Sequence, residues 1–299
     1  MEQLPVLKCG DTVEIIAPAS RLSSKRLEGI KGLLASWNLK YLIEENILGD
    51  DLLCANTDEM RLSLLRNALK RSETKAIICG AGGYGSMRLI PGLSKIIPPD
   101  TPKLFIGMSD TISLSLYLNQ QWKWPTLHGT LAVDKFSNDS IAAIKSILFG
   151  EANYITFPGS PLNQLAKTKT TIESLVTGGN LSIVQTSLGT LWEINGKHRI
   201  ILLEEVGERG YRVDRMLEHL QQANVFKEAA AILLGDFIGG NEPNGTSLIE
   251  PILNRFAQNC QIPVVRIGGV GHGYTNFPMP LGTKAQLQLG DEINLTVFR

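Results

Sequence analysis

Few side chains in this 299-residue chain have the type and setting for nucleophilic chemistry. Ser109 is the first, in "KLFIGMSDTISLSLYL", where an apolar strand-like run passes through Gly-Met-Ser into a helix-like run. Such a turn exposes a hydroxyl and aims the N–H of Asp110, at the start of the helix, toward a developing oxyanion. Ser, Asp and Thr are also ordinary helix N-caps, and Thr111 stands where the second glycine of Gly-x-Ser-x-Gly would fall. A serine nucleophile needs a base, and the four histidines are His128, His198, His219 and His272. His219 lies at helical spacing in "DRMLEHLQQ" and His198 in the polar turn "NGKHR", neither a promising position. His272, between Gly271 and Gly273 after an apolar strand, is the best candidate, because glycine permits backbone geometry that other residues resist. His128 in "WPTLHGT" is the runner-up and equally fits a structural hydrogen-bonding role. An orienting carboxylate could come from Glu204, Glu205 or Glu208, at the end of "RIILLEEVGERG". Strand alternation sends Glu204 and Glu205 to opposite faces, so one of them at most faces a given site, unless all three are solvated residues of a strand end.

A rival chemistry lies in "IICGAGGYGSMRL", with glycines spaced Gly80-x-Gly82-x-x-Gly85. A loop of that kind, between a strand and a helix, can set backbone N–H groups against a pyrophosphate. Pro91 and Gly92 interrupt the helix that should come next, and the acidic residue such a site needs would have to be Asp110, already at the serine turn.

These residues require a scaffold of strands ending near one another. Short apolar runs at Val13–Ala17, Tyr41–Ile43, Ala76–Cys79 and Leu104–Ile106 alternate with helical periodicity, as in Arg61–Lys70 and Ile112–Leu118. That rhythm predicts an N-terminal parallel-sheet α/β domain of Rossmann or flavodoxin type over residues 1–156, with functional loops at the carboxyl ends of its strands. The polar segment 157–170 reads as an interdomain crossing. Residues 171–299 read as a smaller C-terminal α/β domain with apolar runs at Ile200–Leu203, Ala230–Leu234 and Val264–Ile267. Ser109 then belongs to the first unit, Glu204 and His272 to the second.

Lys plus Arg equal Asp plus Glu at 29 each, so no net field recruits nucleic acid or an anionic membrane. The start of the chain lacks a secretory pattern and no uninterrupted apolar span reaches about 18 residues, so a cytoplasmic chain is expected. The four cysteines, Cys9, Cys54, Cys79 and Cys260, lack paired metal-ligand spacing; free or buried thiols and no metal are expected.

In order along nearly the whole chain, "GDTVEIIAPAS", "NTDEMRLSLLRNAL", "GGYGSMRLIPGL", "IGMSDTISLSLYLNQQW", "TLHGT", "VTGGNLSIVQTSLGT", "ILLEEVGERGYRVDRML" and "GVGHGYTNFPMPLG" resemble the LD-carboxypeptidase family. The resemblance implies a cofactor-free serine peptidase with Ser109 as nucleophile, Glu204 as orienting carboxylate and His272 as general base. It implies a cytoplasmic homodimer acting on a murein tetrapeptide, and the glycine loop becomes a donor of oxyanion-binding N–H groups at Gly82 or Gly83. Family members commonly carry Arg immediately before Gly-Gly-Tyr-Gly, where this chain has Ala81. If that Arg belongs to a carboxylate site, substrate preference here differs, and a microcin C-type peptidyl-nucleotide is the alternative within the family. A non-catalytic nucleotide-binding protein is the alternative outside it.

Overall fold

Every early apolar run is short and carries apolar side chains on both of its faces, which suits strands covered by helices above and below. In the computed structural model, which describes residues 3–132 and 135–299, they become the first sheet. Residues 1, 2, 133 and 134 of the first expected unit lie outside the described residues. The first part of the chain forms β1 (Thr12–Ile16), α1 (Ser24–Ser36), β2 (Lys40–Leu42), α2 (Asp58–Lys70), β3 (Thr74–Cys79), α3 (Ile90–Leu93), β4 (Leu104–Gly107), α4 (Ile112–Tyr117), β5 (Thr126–His128) and α5 (Asn138–Leu148). Ser23, Thr57 and Ser137 cap α1, α2 and α5, each side chain accepting a backbone N–H three residues on.

The remainder forms β6 (Tyr154–Pro161), β7 (Thr170–Asn180), α6 (Leu181–Thr186), β8 (Ile200–Val206), α7 (Gly210–Gln222), β9 (Ala231–Ile238), α8 (Ile249–Asn259), β10 (Val264–Ile267), β11 (Met279–Leu281), β12 (Lys284–Leu289) and β13 (Ile293–Phe298).

The first sheet has the order β11-β5-β4-β3-β1-β2, with β1 to β5 parallel and β11 antiparallel at the edge. The order 2-1-3-4-5 is that of doubly wound sheets, whose ligands bind beyond the strands' carboxyl ends. Alternation divides the strand residues between two layers. Ala76, Ile78, Leu104 and Ile106 pack with Ile30 and Leu34 of α1 and Ile144 and Ile147 of α5. Ile77, Cys79 and Phe105 pack with Leu65 and Leu69 of α2 and Ile112 of α4.

The expected smaller C-terminal α/β domain is built on the second sheet, whose form the apolar runs did not specify. That sheet is a closed barrel of seven strands, β10-β6-β13-β12-β7-β8-β9, with β9 pairing β10 to complete the ring. The reading from apolar runs missed β12 and β13, whose alternating buried and exposed residues mark strands covered on one face. Their antiparallel pairing with β7 and β6 supplies the partners that close the edges. The segment 157–170, expected as an interdomain crossing, starts as the second half of β6, with Phe157 paired to Leu295 and buried, so its first five residues belong to the barrel wall. Its two prolines lie on a strand whose outward residues are largely exposed, which hid its β character. Late in the chain β11 returns to pair with β5, Met279 opposite His128, so the second unit completes the first sheet. One continuous apolar core runs from Phe105 and Ile112 through Val176 and Leu202 to Leu295.

Candidate active site

At the carboxyl end of β4 the chain turns sharply into a single 3-10 turn, Ser109–Thr111, before α4. Ser109 sits in the left-handed region at φ 61°, a conformation that costs a non-glycine residue on the order of 1–3 kcal/mol and is retained where surrounding structure enforces it. Here the enforcement is visible: Thr111 Oγ1 donates to the Met108 carbonyl at 2.9 Å, and the glycine loop after β3 presses on the serine. A Cβ on Gly82 would stand 2.8 Å from Ser109 Cβ and 3.1 Å from its Oγ, so the approach is open to glycine alone.

Asp110 holds that loop in place. Its buried carboxylate accepts the N–H groups of Gly85 and Ser86 at 3.1 and 2.8 Å, while Ser86 Oγ donates to the Asp110 carbonyl at 2.7 Å. Tyr84 N–H goes to Ser20 Oγ at 3.0 Å. The N–H groups of residues 84–86 are therefore spent within the protein. The loop leads into a 3-10 turn and the four-residue α3 rather than a long helix, so it is poorly built to hold a phosphate. Ala81, Gly82 and Gly83 face the cavity instead. Arg61, a residue that sequence patterning does not single out, is buried inside α2's packing and bonds the Pro18, Asn56 and Gly85 carbonyls, tying the loop to the end of β1. No local signal separates such an arginine from a solvated one on an amphipathic helix.

Glu204 and His272 come from the other sheet. Between the pairs Leu203–Leu234 and Glu205–Phe237, β8 has one residue and β9 has two, a bulge opposite Glu204 of the kind that re-aims side chains. Glu204 has no solvent exposure. Its Oε2 lies 2.7 Å from His272 Nδ1, and its Oε1 lies 3.6 Å from Nε2 of His128, which is equally buried at the end of β5. Gly271, at φ 138°, lets the His272 loop pass so close that a Cβ there would stand 3.0 Å from Glu204 Oε2. Burial raises the Glu204 pKa, but the two facing rings, His128 and His272, more than offset this, and the carboxyl is held below its ordinary value. An ionised carboxylate only accepts, so Nδ1 of His272 carries the proton and donates it, which leaves Nε2 as a lone-pair acceptor.

Glu205 faces the opposite way, as alternation requires, and is buried rather than solvated. Its carboxylate accepts from Asn180 Nδ2, Ser182 N, Ser182 Oγ and Val206 N at 2.7–3.0 Å, which anchors the start of α6. Burial is the main influence on it and raises its pKa despite those bonds. Glu208 pairs with Arg212 on the surface. His219 is exposed on α7 beside Gln185, and His198 occupies an exposed turn; neither approaches the cavity. Asp236, in the bulge, accepts the Gly269 N–H at 3.3 Å at the base of the His272 loop.

A cavity of about 380 Å³ opens between the two sheets, lined by Ser109, His272, Ala81, Gly82 and Gly83 among others. Asp110 does not line it. Ser109 Oγ and the His272 ring share this space, without a direct hydrogen bond between them among the described residues. Three cationic side chains also line the space, Arg21, Arg26 and Lys135, and no carboxylate does among the described residues. The described residues contain no cluster of His, Cys, Asp and Glu able to hold a metal ion, and no helix long and apolar enough to cross a membrane. The four cysteines are free, three of them buried.

A left-handed serine at a strand-to-helix turn, sharing a cavity with a histidine held by a buried carboxylate, is the layout of serine hydrolases. The chain belongs to the LD-carboxypeptidase family: residues 13–129 match the family's N-terminal domain and residues 173–287 its C-terminal domain. A Rickettsia conorii relative is 34% identical over 96% of this chain and 90% of its own length. The murein tetrapeptide carboxypeptidase of Pseudomonas aeruginosa is 29% identical, with 92% of each chain covered. Among solved structures, the muramoyltetrapeptide carboxypeptidase of Oxalobacter formigenes superposes with a TM-score of 0.79 at 23% identity, covering 96% of this chain and 99% of that one. An MccF-like protein of Bacillus anthracis gives a TM-score of 0.84 at 20% identity, covering 99% of each, so the fold is shared across both groups.

Proposed function

We propose that this protein is a cofactor-free serine LD-carboxypeptidase that cleaves the amide between an L-configured centre and a C-terminal D-amino acid, releasing D-alanine from a murein tetrapeptide. The observation that carries the reading is the 2.7 Å contact of His272 Nδ1 with buried Glu204, in a ring that shares its cavity with Ser109. His272 Nε2 takes the Ser109 proton as Oγ attacks the scissile carbonyl, and N–H groups of Gly82 or Gly83, which line the cavity, hold the oxyanion. The imidazolium gives its proton to the leaving amine, the acyl-enzyme remains, and water activated by the same nitrogen releases the shortened peptide. Arg21, at the cavity wall, suits a substrate that ends in a free carboxylate, since a guanidinium binds a carboxylate through paired hydrogen bonds.

The test is incubation with murein tri-, tetra- and pentapeptides and identification of the released amino acid by mass. D-Alanine from the tetrapeptide alone supports the reading; no release from any of them overturns it. Ala81, a small side chain lining the cavity, favours as a second reading a bulkier peptidyl-nucleotide of the microcin C type, to be tried in the same assay. The engaged N–H groups of residues 84–86 weigh against nucleotide binding by the glycine loop, which calorimetry with NAD and ATP checks. The family resemblance also supports a cytoplasmic homodimer, which sedimentation and cell fractionation test.

A further inference from the structure

Two histidines face Glu204, and the reaction proposed above uses one of them. His128 ends β5 in the parallel sheet with no solvent exposure, and its Nε2 stands 3.6 Å from Glu204 Oε1. Neither ring nitrogen of His128 has a hydrogen-bond partner among the described residues, and neither has Glu204 Oε1. Three unpartnered buried polar atoms in one place are unusual, because interiors pair such groups. A neutral imidazole always carries one N–H, and a carboxylate accepts at both oxygens, so a closure of under about 1 Å would satisfy two of the three at once.

We propose that His128 is a positioning residue: its Nε2–H donates to Oε1 of Glu204 and holds the carboxylate from the sheet side while His272 engages Oε2 from the barrel side. The inference rests on the serine-hydrolase reading of the site. Its physical motive is the placement of the groups. Glu204 is anchored on β8 of the barrel, whereas the nucleophile turn comes directly after β4 of the first sheet. His128 is in register with Gly107 on β4, two residues before Ser109, and with Met279 on β11, which comes after the His272 loop. A bond from His128 to Glu204 ties the carboxylate to the strand that carries the serine. It also stops the carboxylate from rotating about its terminal torsion, since one oxygen is then fixed on each side. Among the described residues Asp236 on β9 also lies close enough to feel the Glu204 charge, and it already accepts the Gly269 N–H.

Three variants test this: H128F, which removes the donor; H128Q, whose side-chain amide reaches the place of Nε2; and H128N, whose amide reaches only the place of Nδ1. Turnover of the tetrapeptide and the proton spectrum of histidine-labelled protein are both read, the latter for the downfield Nδ1–H of His272 against its carboxylate. H128F and H128N are expected to lose about 10- to 100-fold in kcat with KM within about twofold, the range typical of partners that orient a reacting group. H128Q is expected to return to within about fivefold of wild type, and the downfield resonance to shift or broaden in H128F and H128N but persist in H128Q. Folded H128F with wild-type kcat and an unmoved resonance overturns the proposal. If H128F does not fold, equal behaviour of H128N and H128Q overturns it. The resonance needs no substrate, so a protein inactive on every murein peptide refutes the proposed reaction while the spectra still decide the role of His128.

Discussion

Nδ1 of His272 and Oε2 of Glu204 meet at 2.7 Å across 68 residues of sequence, one on the loop after β10 and the other on β8 opposite the β9 bulge. The contact sets the tautomer of the ring and turns its free nitrogen into an acceptor inside the cavity. Substituting Glu204 by Gln keeps the shape and removes the charge that stabilises an imidazolium. E204Q is therefore expected to lose about 10³- to 10⁴-fold in kcat. E205Q, which alters the anchor of α6 instead, is expected to stay within about tenfold of wild-type activity and to lose about 1–2 kcal/mol of stability. Steady-state kinetics and thermal melts of the two variants check the contrast, and the reverse ranking would mean that Glu205 serves the ring.

Ser109 supplies the second expectation. S109A should lose on the order of 10⁴-fold or more in turnover, because members of a nucleophile–base–carboxylate set act as a unit. The substitution should not lower stability, since it removes a hydroxyl without a hydrogen bond among the described residues and leaves Cβ against Gly82. A serine-directed phosphonate should add once to the wild type, at Ser109, and not at all to S109A. More than a tenth of wild-type activity in S109A would refute the assignment.

Asp110 connects the serine turn to the glycine loop through its carboxylate. D110A leaves the N–H groups of Gly85 and Ser86 without their acceptor, at a cost of about 2–4 kcal/mol for two buried donors. Activity should fall further than unfolding alone accounts for, because Gly82 and Gly83 are then free to move away from Ser109. Denaturant melts at fixed pH, together with kcat measured on the folded fraction, separate the two effects.

Acid should weaken the fold through Glu204. Its folded-state pKa is depressed, so its ionisation adds stability at pH above the ordinary glutamate value, and that contribution is lost as pH falls through the lower folded value. Glu205 and Asp236 have raised folded-state values, burial being the main cause in each, so they oppose the fold when charged and relax as pH falls. The stability difference between wild type and E204Q, read from denaturant midpoints, should accordingly shrink between neutral pH and the region below the ordinary glutamate value. A difference independent of pH would show that Glu204 is not ionised in the fold.

Arg21 should affect binding more than chemistry. R21A is expected to raise KM for a peptide with a free C-terminal carboxylate by about tenfold or more with kcat little changed, the pattern for an interaction equal in ground and transition states. The same peptide carrying a C-terminal amide should bind poorly to the wild type and show no further loss in R21A.

Much of the scaffold was legible in the chain itself. Runs such as "AIIC" and "LFIG" are apolar on both faces, a pattern that a parallel sheet between two helix layers satisfies, and the passage through Gly-Met-Ser into helix marks the turn at Ser109. These are short-range signals, in which residues a few positions apart set the local backbone. The choice between Glu204 and Glu205 was half legible: alternation separates their faces, but which face meets a histidine depends on the bulge in β9 and on a loop 68 residues away. Closure of the barrel, the return of β11 beside His128, and the burial of Arg61 and His128 belong wholly to the tertiary structure. Each depends on pairing or desolvation between segments far apart in sequence, and no local pattern of residue types records which distant partner a strand edge or a buried charge will find.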